Sequence, residues 1–76
     1  MSEHQLDARG LLCPMPVIKT QNAIQQLKVG DQIRVLATDP GVLHDIPSWC
    51  RVNGHRVIST DQEGRDIVVL IEVCSS

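Results

Sequence analysis

Aromatic side chains are almost absent from this sequence of 76 residues, in which Trp49 is the single aromatic residue and neither phenylalanine nor tyrosine occurs. Proteins that bind single-stranded nucleic acid stack its bases on aromatic rings, and nucleic-acid binding in general needs clustered lysine and arginine to displace counterions. This chain has a formal net charge of −2, and its 7 Lys and Arg residues form no run. We therefore predict that it does not bind nucleic acid directly.

Long apolar stretches are also missing. No run approaches the ~20 residues of a membrane span, and residues 1–5 lack the basic-then-apolar pattern of a secretion signal. A hydrophobic content of 42% is typical of a globular domain, and the length fits a single domain over residues 1–76. We expect a cytoplasmic protein that does not associate with membranes.

Cysteine is scarce, and Cys13, Cys50 and Cys74 are an odd number at wide spacing. This arrangement does not fit a disulfide framework and favours a reducing compartment. His44, Cys50 and His55 match no standard zinc spacing, so no metal site is predicted. Cys50 shares the apolar face of a predicted helix and is interpreted as core, with a second redox-active or sulfur-accepting thiol as the alternative. Cys74 follows the last predicted strand and is expected to be exposed.

Apolar periodicity predicts the element order β-α-β-α-β-β. The predicted strands cover residues 5–8, 32–38, 56–60 and 67–73, and a hairpin loop covers residues 61–65 with Gly64 at positive φ. The predicted helices cover residues 14 to about 28 and 45 to about 53, the second after a short helical turn that begins at Asp39 and is interrupted by Pro47.

Two strand–helix–strand units imply parallel crossovers, and the final hairpin adds an antiparallel pair. The predicted fold class is therefore α/β (α+β), a two-layer sandwich in which two helices cover one face of a mixed four-stranded sheet. The other face stays open, and Leu36, Val68 and Leu70 are predicted to lie on it. That face is either a partly exposed sheet or a contact with a partner or second copy, so we expect a monomer or a weak dimer.

The segment Gly10-Leu11-Leu12-Cys13-Pro14-Met15-Pro16 carries the clearest chemical signal. Gly10 marks a turn, and Pro14 suits the first position of a helix, where its missing N–H would have no partner. Pro14 also disfavours helical backbone at Cys13, which is therefore predicted to be the N-cap. At a helix N-terminus a thiol pKa of ~8.5 falls to roughly 3.5–7.5. Cys13 is thus predicted to be a nucleophile, the alternative being a small buried cysteine.

Pro16 occupies the position that a resolving cysteine would take in a Cys-x-x-Cys pair. A group loaded on Cys13 would therefore remain until a partner removes it.

Arg9 and Lys19 are near enough in sequence to add positive charge, although each also fits an ordinary solvated residue. Met15 and Ile18 lie off the apolar stripe of the first helix and are candidates for partner docking. The core-facing stripe comprises Val17, Thr20, Ala23, Ile24 and Leu27.

The pattern Leu6-Asp7-x-x-Gly10-Leu11-x-Cys13-Pro14-x-Pro16 resembles the signature of the TusA/SirA family of small sulfur-carrier proteins. The segment Asp39-Pro40-x-x-x-x-Asp45-Ile46-Pro47-x-x-Cys50 is similar to the second helix of that family. The resemblance covers about residues 6–73 and implies the same sandwich fold and a sulfurtransferase activity. It also implies a covalent persulfide on Cys13, with Gly10, Pro14 and Pro16 as the supporting motif and no other cofactor.

The resemblance further implies partners for Cys13. The donor would be a cysteine desulfurase or a rhodanese-like protein, and the acceptor would be a DsrE-type relay protein. The pathways served by the family are tRNA thiolation, molybdenum-cofactor supply and dissimilatory sulfur oxidation. Two alternatives remain from the residues themselves. One is a thiol redox protein with Cys50 or Cys74 as its resolving thiol, and the other is a regulatory or interaction module that uses the open sheet face.

Overall fold

A computed structural model describes residues 2–75. Its elements follow the predicted order, and within residues 2–75 neither helix is long or apolar enough to cross a membrane. The strands are β1 (Glu3–Ala8), β2 (Gln32–Ala37), β3 (Arg56–Glu63) and β4 (Asp66–Glu72), and the helices are α1 (Met15–Ile24) and α2 (Val42–Asn53).

The four strands form one mixed sheet in the order β1-β2-β4-β3. β1 pairs parallel with β2, and β4 pairs antiparallel with both β2 and β3. Because β4 opposes both of its neighbours, β2 and β3 run in the same direction with β4 inserted between them. Each strand–helix–strand unit therefore joins parallel strands, and the predicted architecture is confirmed. Parallel pairing also brings the ends of β1 and β2, and the loops that follow them, to one edge of the sheet.

The core lies between the sheet and the two helices, and alternate residues of β2 and β4 point into it. Thr20 and Ile24 from α1 complete one side of it, and Val17, Ala23 and Leu27 pack against it while half-buried. The predicted apolar stripe of the first helix is thus the stripe that faces the core. The buried residues of the sheet and α2 are Ala8, Ile33, Val35, Ala37, Val42, Ile46, Cys50, Ile67, Val69 and Ile71.

Pro47 does not interrupt the second helix, and the predicted restart at residue 45 is wrong. α2 is continuous from Val42 to Asn53, with Pro47 inside it. An interior proline costs a helix about 3 kcal/mol, because it removes one backbone hydrogen bond and crowds the preceding turn. Val42, Ile46 and Cys50 are buried at intervals of four residues, and burying each large aliphatic side chain contributes roughly 1.5–3 kcal/mol. This burial offsets the cost of Pro47.

The first helix is shorter than predicted. α1 ends at Ile24 rather than near residue 28. Beyond it the backbone tightens, since Gln26 N–H donates to the Ala23 carbonyl and Leu27 N–H donates to the Ile24 carbonyl. These bonds span three residues instead of four, as in a 3₁₀ turn. Leu27 still reaches the core through this tighter turn, which is why its apolar periodicity extended the predicted helix.

The last hairpin is tighter than predicted. β3 continues to Glu63, which pairs with Asp66, so the turn consists only of Gly64 and Arg65. Gly64 has a φ of +62°, as predicted, and two-residue hairpin turns favour such a conformation. The predicted loop residues Asp61 and Gln62 instead pair with the apolar strand β4. Cross-strand pairing therefore overrides their weak preference for strands.

Among residues 2–75, no helix lies on the second face of the sheet. Leu36, Val68 and Leu70 alternate with the buried residues of their strands and are half-buried on this open face, as predicted. Ion pairs lie on the same face, with Arg34 Nη2 3.6 Å from Glu3 Oε1 and Arg56 Nη2 2.9 Å from Glu72 Oε1.

Candidate functional site

The loop between β1 and α1 presents Cys13 at the edge of the sheet where β1 and β2 end. Gly10 has a φ of +79°, and a side chain there would meet no atom within 4 Å. The backbone conformation, and not a lack of space, is therefore what favours glycine. Gly10 N–H donates to Thr38 Oγ1 at 2.9 Å, which ties the loop to the residue after β2. The predicted turn at Gly10 is confirmed.

Cys13 is not the N-cap of α1, and that prediction is wrong. The helix begins at Met15, Pro14 occupies the N-cap position, and the Cys13–Pro14 peptide bond is cis. Cys13 N–H donates to Asp39 Oδ2 at 2.8 Å, so a residue of the neighbouring crossover holds the cysteine backbone. Met15 N–H donates to the Leu12 carbonyl at 2.9 Å. That N–H is therefore not directed at the thiol.

Two carboxylates flank Cys13. Its thiol donates a hydrogen bond to Asp45 Oδ2, with 2.7 Å between Sγ and the oxygen. Asp39 accepts the Cys13 N–H with one oxygen and the Gly41 N–H with the other, at 3.1 Å. Asp39 follows β2 and Asp45 lies in the first turn of α2, so both come from the second crossover. The hydrogen bonds that Asp39 accepts from the backbone N–H groups of Cys13 and Gly41 hold the pKa of its carboxyl below the usual value.

The environment raises the pKa of the Cys13 thiol above its ordinary value. The hydrogen bond to Asp45 is the largest cause, followed by partial burial and by the negative charges of Asp45 and Asp39. Each of these favours the neutral thiol over the thiolate. The predicted lowering of the Cys13 pKa is therefore wrong, because the prediction considered the helix terminus and not the carboxylates from the second crossover. At neutral pH the resting cysteine is a thiol.

The basic residues nearest in sequence, Arg9 and Lys19, make no hydrogen bond with the Cys13 thiol, whose partner is Asp45. Arg9 Nε lies 3.0 Å from Asp7 Oδ1, and Arg9 Nη1 lies 3.8 Å from Asp66 Oδ2. The Arg9 guanidinium lowers the pKa of the Asp7 carboxyl to about 2. Lys19 is exposed on α1. Within residues 2–75, no lysine, arginine or histidine forms an ion pair with Asp39 or Asp45.

Three apolar side chains surround the exposed Cys13 in the sequence, and we call Leu12, Met15 and Ile18 the apolar rim. Met15 and Ile18 are 45% and 42% exposed, in agreement with the predicted helical phase. Leu12 is 75% exposed. It was not predicted as a docking residue, although it directly precedes Cys13 in the sequence. The rim is therefore exposed apolar surface on residues that flank Cys13 in the chain.

Pro16 has a second role that the sequence pattern did not predict. Its side chain is fully buried, and its carbonyl accepts a hydrogen bond from the buried Thr20 hydroxyl at 2.8 Å. Proline in the first turn of a helix needs no N–H partner, so it can pack in the core at no cost in hydrogen bonds. Pro16 thus fixes the start of α1 in the core. It also occupies the position that the second cysteine of a Cys-x-x-Cys pair would take.

Comparison with known proteins identifies the chain. The family model described as "Sulfurtransferase TusA" matches residues 4–73. The chain belongs to the TusA family. The resemblance predicted from the Cys-Pro-x-Pro motif is therefore confirmed, and with it a sulfur-carrier family for this protein.

Two curated relatives come from Bacillus subtilis (strain 168). The "Putative sulfur carrier protein YrkI" is 40% identical over 63 residues, which are 83% of this chain and 84% of that protein. The "Putative sulfur carrier protein YrkF" is 42% identical over 59 residues, which are 78% of this chain. The matched segment makes up only 32% of YrkF, so this chain spans about a third of that relative.

A solved structure has the same fold. The crystal structure of a SirA-like protein from Desulfitobacterium hafniense superimposes with a TM-score of 0.82 and covers 95% of this chain and 99% of its own. Its sequence identity to this chain is 23%. The likeness confirms the two-layer fold that the TusA family signature implied.

The other two cysteines of this TusA-family chain lie away from Cys13. Cys50 is buried in the core, as predicted, and burial raises the pKa of its thiol to about 11. Cys74 is exposed after β4, at the edge where β2 begins, which is opposite the edge that carries Cys13. Its N–H donates to His55 Nδ1 at 3.3 Å, and the His55 ring stacks on Trp49. Within residues 2–75, no three His, Cys, Asp or Glu side chains are grouped so as to hold a metal ion.

Asp39 and Asp45 are the functional candidates that sequence reasoning missed. From the sequence, Asp39 was predicted to begin a helical turn and Asp45 to begin the second helix, and neither was predicted to contact Cys13. Parallel crossovers place the loops that follow β1 and β2 at one edge of the sheet. The predicted topology therefore already indicated that Asp39 and Asp45 lie at the same edge as Cys13. The hydrogen bond between the Cys13 thiol and Asp45 could not be derived from it.

Proposed function

We propose that this protein carries sulfane sulfur as a persulfide on Cys13. The observation that carries the proposal is the exposed free thiol of Cys13 in the family motif, held at its backbone by Asp39 and bordered by the apolar rim. Cys50 is buried and Cys74 lies at the opposite edge of the sheet. Neither is placed to resolve a disulfide with Cys13, which argues against the thiol redox alternative.

The transfer reaction needs no oxidant or reductant. Cys13 Sγ attacks the outer sulfur of a donor persulfide, the new Sγ–S bond forms, and the donor S–S bond breaks. The inner sulfur of the donor leaves with the electron pair of the broken bond and takes up the proton that Cys13 has released. Delivery to an acceptor thiol is the same exchange in reverse. Because α1 presents no second thiol beside Cys13, the persulfide remains on Cys13 until the thiol of an acceptor protein attacks it.

Family membership supports the classes of partner. We propose a cysteine desulfurase or a rhodanese-like protein as the donor and a DsrE-type relay protein as the acceptor. The pathway served is tRNA thiolation, molybdenum-cofactor supply or sulfur oxidation, and the motif is shared among these. The apolar rim provides the surface that either partner would cover as its own sulfur approaches Cys13.

Intact mass spectrometry tests the proposal. After incubation with polysulfide, or with thiosulfate and a rhodanese, we expect the mass to increase by one sulfur atom and to return to its initial value on treatment with dithiothreitol. Cys13→Ser should abolish the increase, and Cys74→Ser is the matched control because it removes the other exposed thiol. Loading that persists in Cys13→Ser and disappears in Cys74→Ser would refute the assignment.

A further inference from the structure

We propose that Asp45 acts as a latch on Cys13, holding its proton in the free carrier, and that a sulfur donor opens the latch with a cationic side chain that pairs with Asp45. This inference rests on the proposed function, since it concerns how the same thiol is brought into reaction. We define the latch as the hydrogen bond from Cys13 Sγ to Asp45 Oδ2.

The latch places the Cys13 thiol within hydrogen-bond distance of a carboxylate, with 2.7 Å between Sγ and Oδ2. The bond joins a loop residue to the first turn of α2, and α2 is fixed in the core by Val42 and Ile46. Asp39 holds the Cys13 backbone from the same crossover. Both sides of the latch are therefore positioned by elements that are packed independently of the thiol.

The charge around the latch is unbalanced. Of the seven other acidic residues, five form ion pairs in the described part of the chain, namely Glu3, Asp7, Asp31, Asp66 and Glu72, whereas Asp61 and Glu63 at the end of β3 do not. Asp39 and Asp45 have no such partner within residues 2–75, although they lie beside the exposed thiol. The charged groups that act on Cys13 are these two carboxylates. A cation brought by a partner would complement them, and the apolar rim would be covered at the same time.

Opening the latch changes the chemistry at Sγ. A guanidinium or ammonium that binds Asp45 competes for the oxygen that accepts the thiol proton and compensates the negative charge that disfavours the thiolate. Cys13 then loses its proton, Sγ attacks the outer sulfur of the donor, and the proton is taken up by the departing donor thiolate. The free carrier remains a thiol and reacts slowly with small electrophiles.

The first test measures the alkylation rate of Cys13 by iodoacetamide from neutral to alkaline pH, in a Cys74→Ser background. Asp45→Asn and Asp45→Ala should each move the midpoint of the pH profile to lower pH. Each unit of this shift raises the thiolate fraction at neutral pH about tenfold. Glu3→Gln is the matched control, because it removes one negative charge at the opposite end of β1, and it should leave the midpoint unchanged. A midpoint that stays or rises in both Asp45 variants would overturn the latch.

The second test compares two synthetic donors, the persulfides of Arg-Cys-Arg and Gln-Cys-Gln tripeptides. Sulfur should pass to wild-type Cys13 faster from the arginine peptide, and this advantage should disappear in Asp45→Asn and remain in Glu3→Gln. Equal rates in the wild type, or an advantage that survives in Asp45→Asn, would refute the cationic partner. If polysulfide loads Cys13 but neither peptide does, the cationic partner is refuted. If polysulfide does not load Cys13 either, the carrier function fails, and the alkylation profile still decides whether the latch exists.

Discussion

Asp39 Oδ2 accepts the backbone N–H of Cys13 at 2.8 Å, although the two residues are 26 positions apart. The same carboxylate accepts the Gly41 N–H with its other oxygen. One side chain therefore fixes the backbone of the nucleophile's loop and the backbone that enters α2. A carboxylate used in this way positions a reactive residue without touching the reacting sulfur.

Removing this acceptor should loosen the Cys13 loop. In Asp39→Ala we expect faster hydrogen exchange of the Cys13 and Gly41 amides, because both lose their hydrogen-bond acceptor. Loss of the Asp39 charge also lowers the pKa of the Cys13 thiol, so sulfur loading from polysulfide is compared at equal fractions of thiolate. On that basis it should slow several-fold, while the amides of β2 and β4 keep their protection. Asp61→Ala, on the exposed part of β3, is the control and should change neither measurement. Unchanged exchange at Cys13 in Asp39→Ala would show that the loop is held by other contacts.

The apolar rim should control transfer between proteins and not loading by small molecules. Met15→Glu combined with Ile18→Lys should leave the melting temperature and polysulfide loading nearly unchanged, because both side chains lie off the core. Transfer to an acceptor protein should slow by about tenfold or more, which corresponds to ~1.4 kcal/mol of lost contact. Single-turnover transfer, followed by intact mass, measures this rate.

A matched pair of substitutions provides the control for the rim. Val29 and Val52 are 59% and 83% exposed and lie outside the Cys13 loop. Val29→Glu with Val52→Lys adds the same charges as the rim variant and should leave transfer unchanged. A large loss of melting temperature in the rim variant would instead mean that Met15 and Ile18 support the core.

The buried thiol of Cys50 should make the fold less stable at alkaline pH. Its pKa is about 11 in the folded chain, so the unfolded chain releases this proton at lower pH than the folded one does. The stabilising contribution is complete below the ordinary thiol pKa and decreases as pH rises toward 11. At ~1.4 kcal/mol per pKa unit, the loss should reach about 2–3 kcal/mol.

Urea unfolding at neutral pH and near pH 11 measures this loss. The experiment uses a Cys13→Ser background, which removes the other thiol whose pKa is raised. Cys50→Ala should be less stable at neutral pH because a buried side chain is shortened, yet its stability should fall less between the two pH values. An equal fall in the parent and in Cys50→Ala would assign the alkaline effect to other groups.

Much of the fold could be predicted because its signals are local. The apolar residues of β2 and of α1 recur at strand and helix spacing, and Gly10 and Gly64 mark turns that need positive φ. These features gave the element order, the mixed sheet and the core-facing side of α1. The Cys-Pro-x-Pro motif also placed Cys13 at the start of a helix to within two residues.

Tertiary structure decided the environment of that cysteine. The helix terminus alone predicted a lowered thiol pKa, whereas Asp45, 32 positions away, raises it. Burial on one face of α2 likewise carried the helix through Pro47, and packing placed Pro16 in the core. Periodicity and turn residues act over a few positions of the chain, but charge and burial depend on which distant residues the parallel strands bring together. For that reason the sequence indicated which sulfur reacts, and only the folded chain showed what holds its proton.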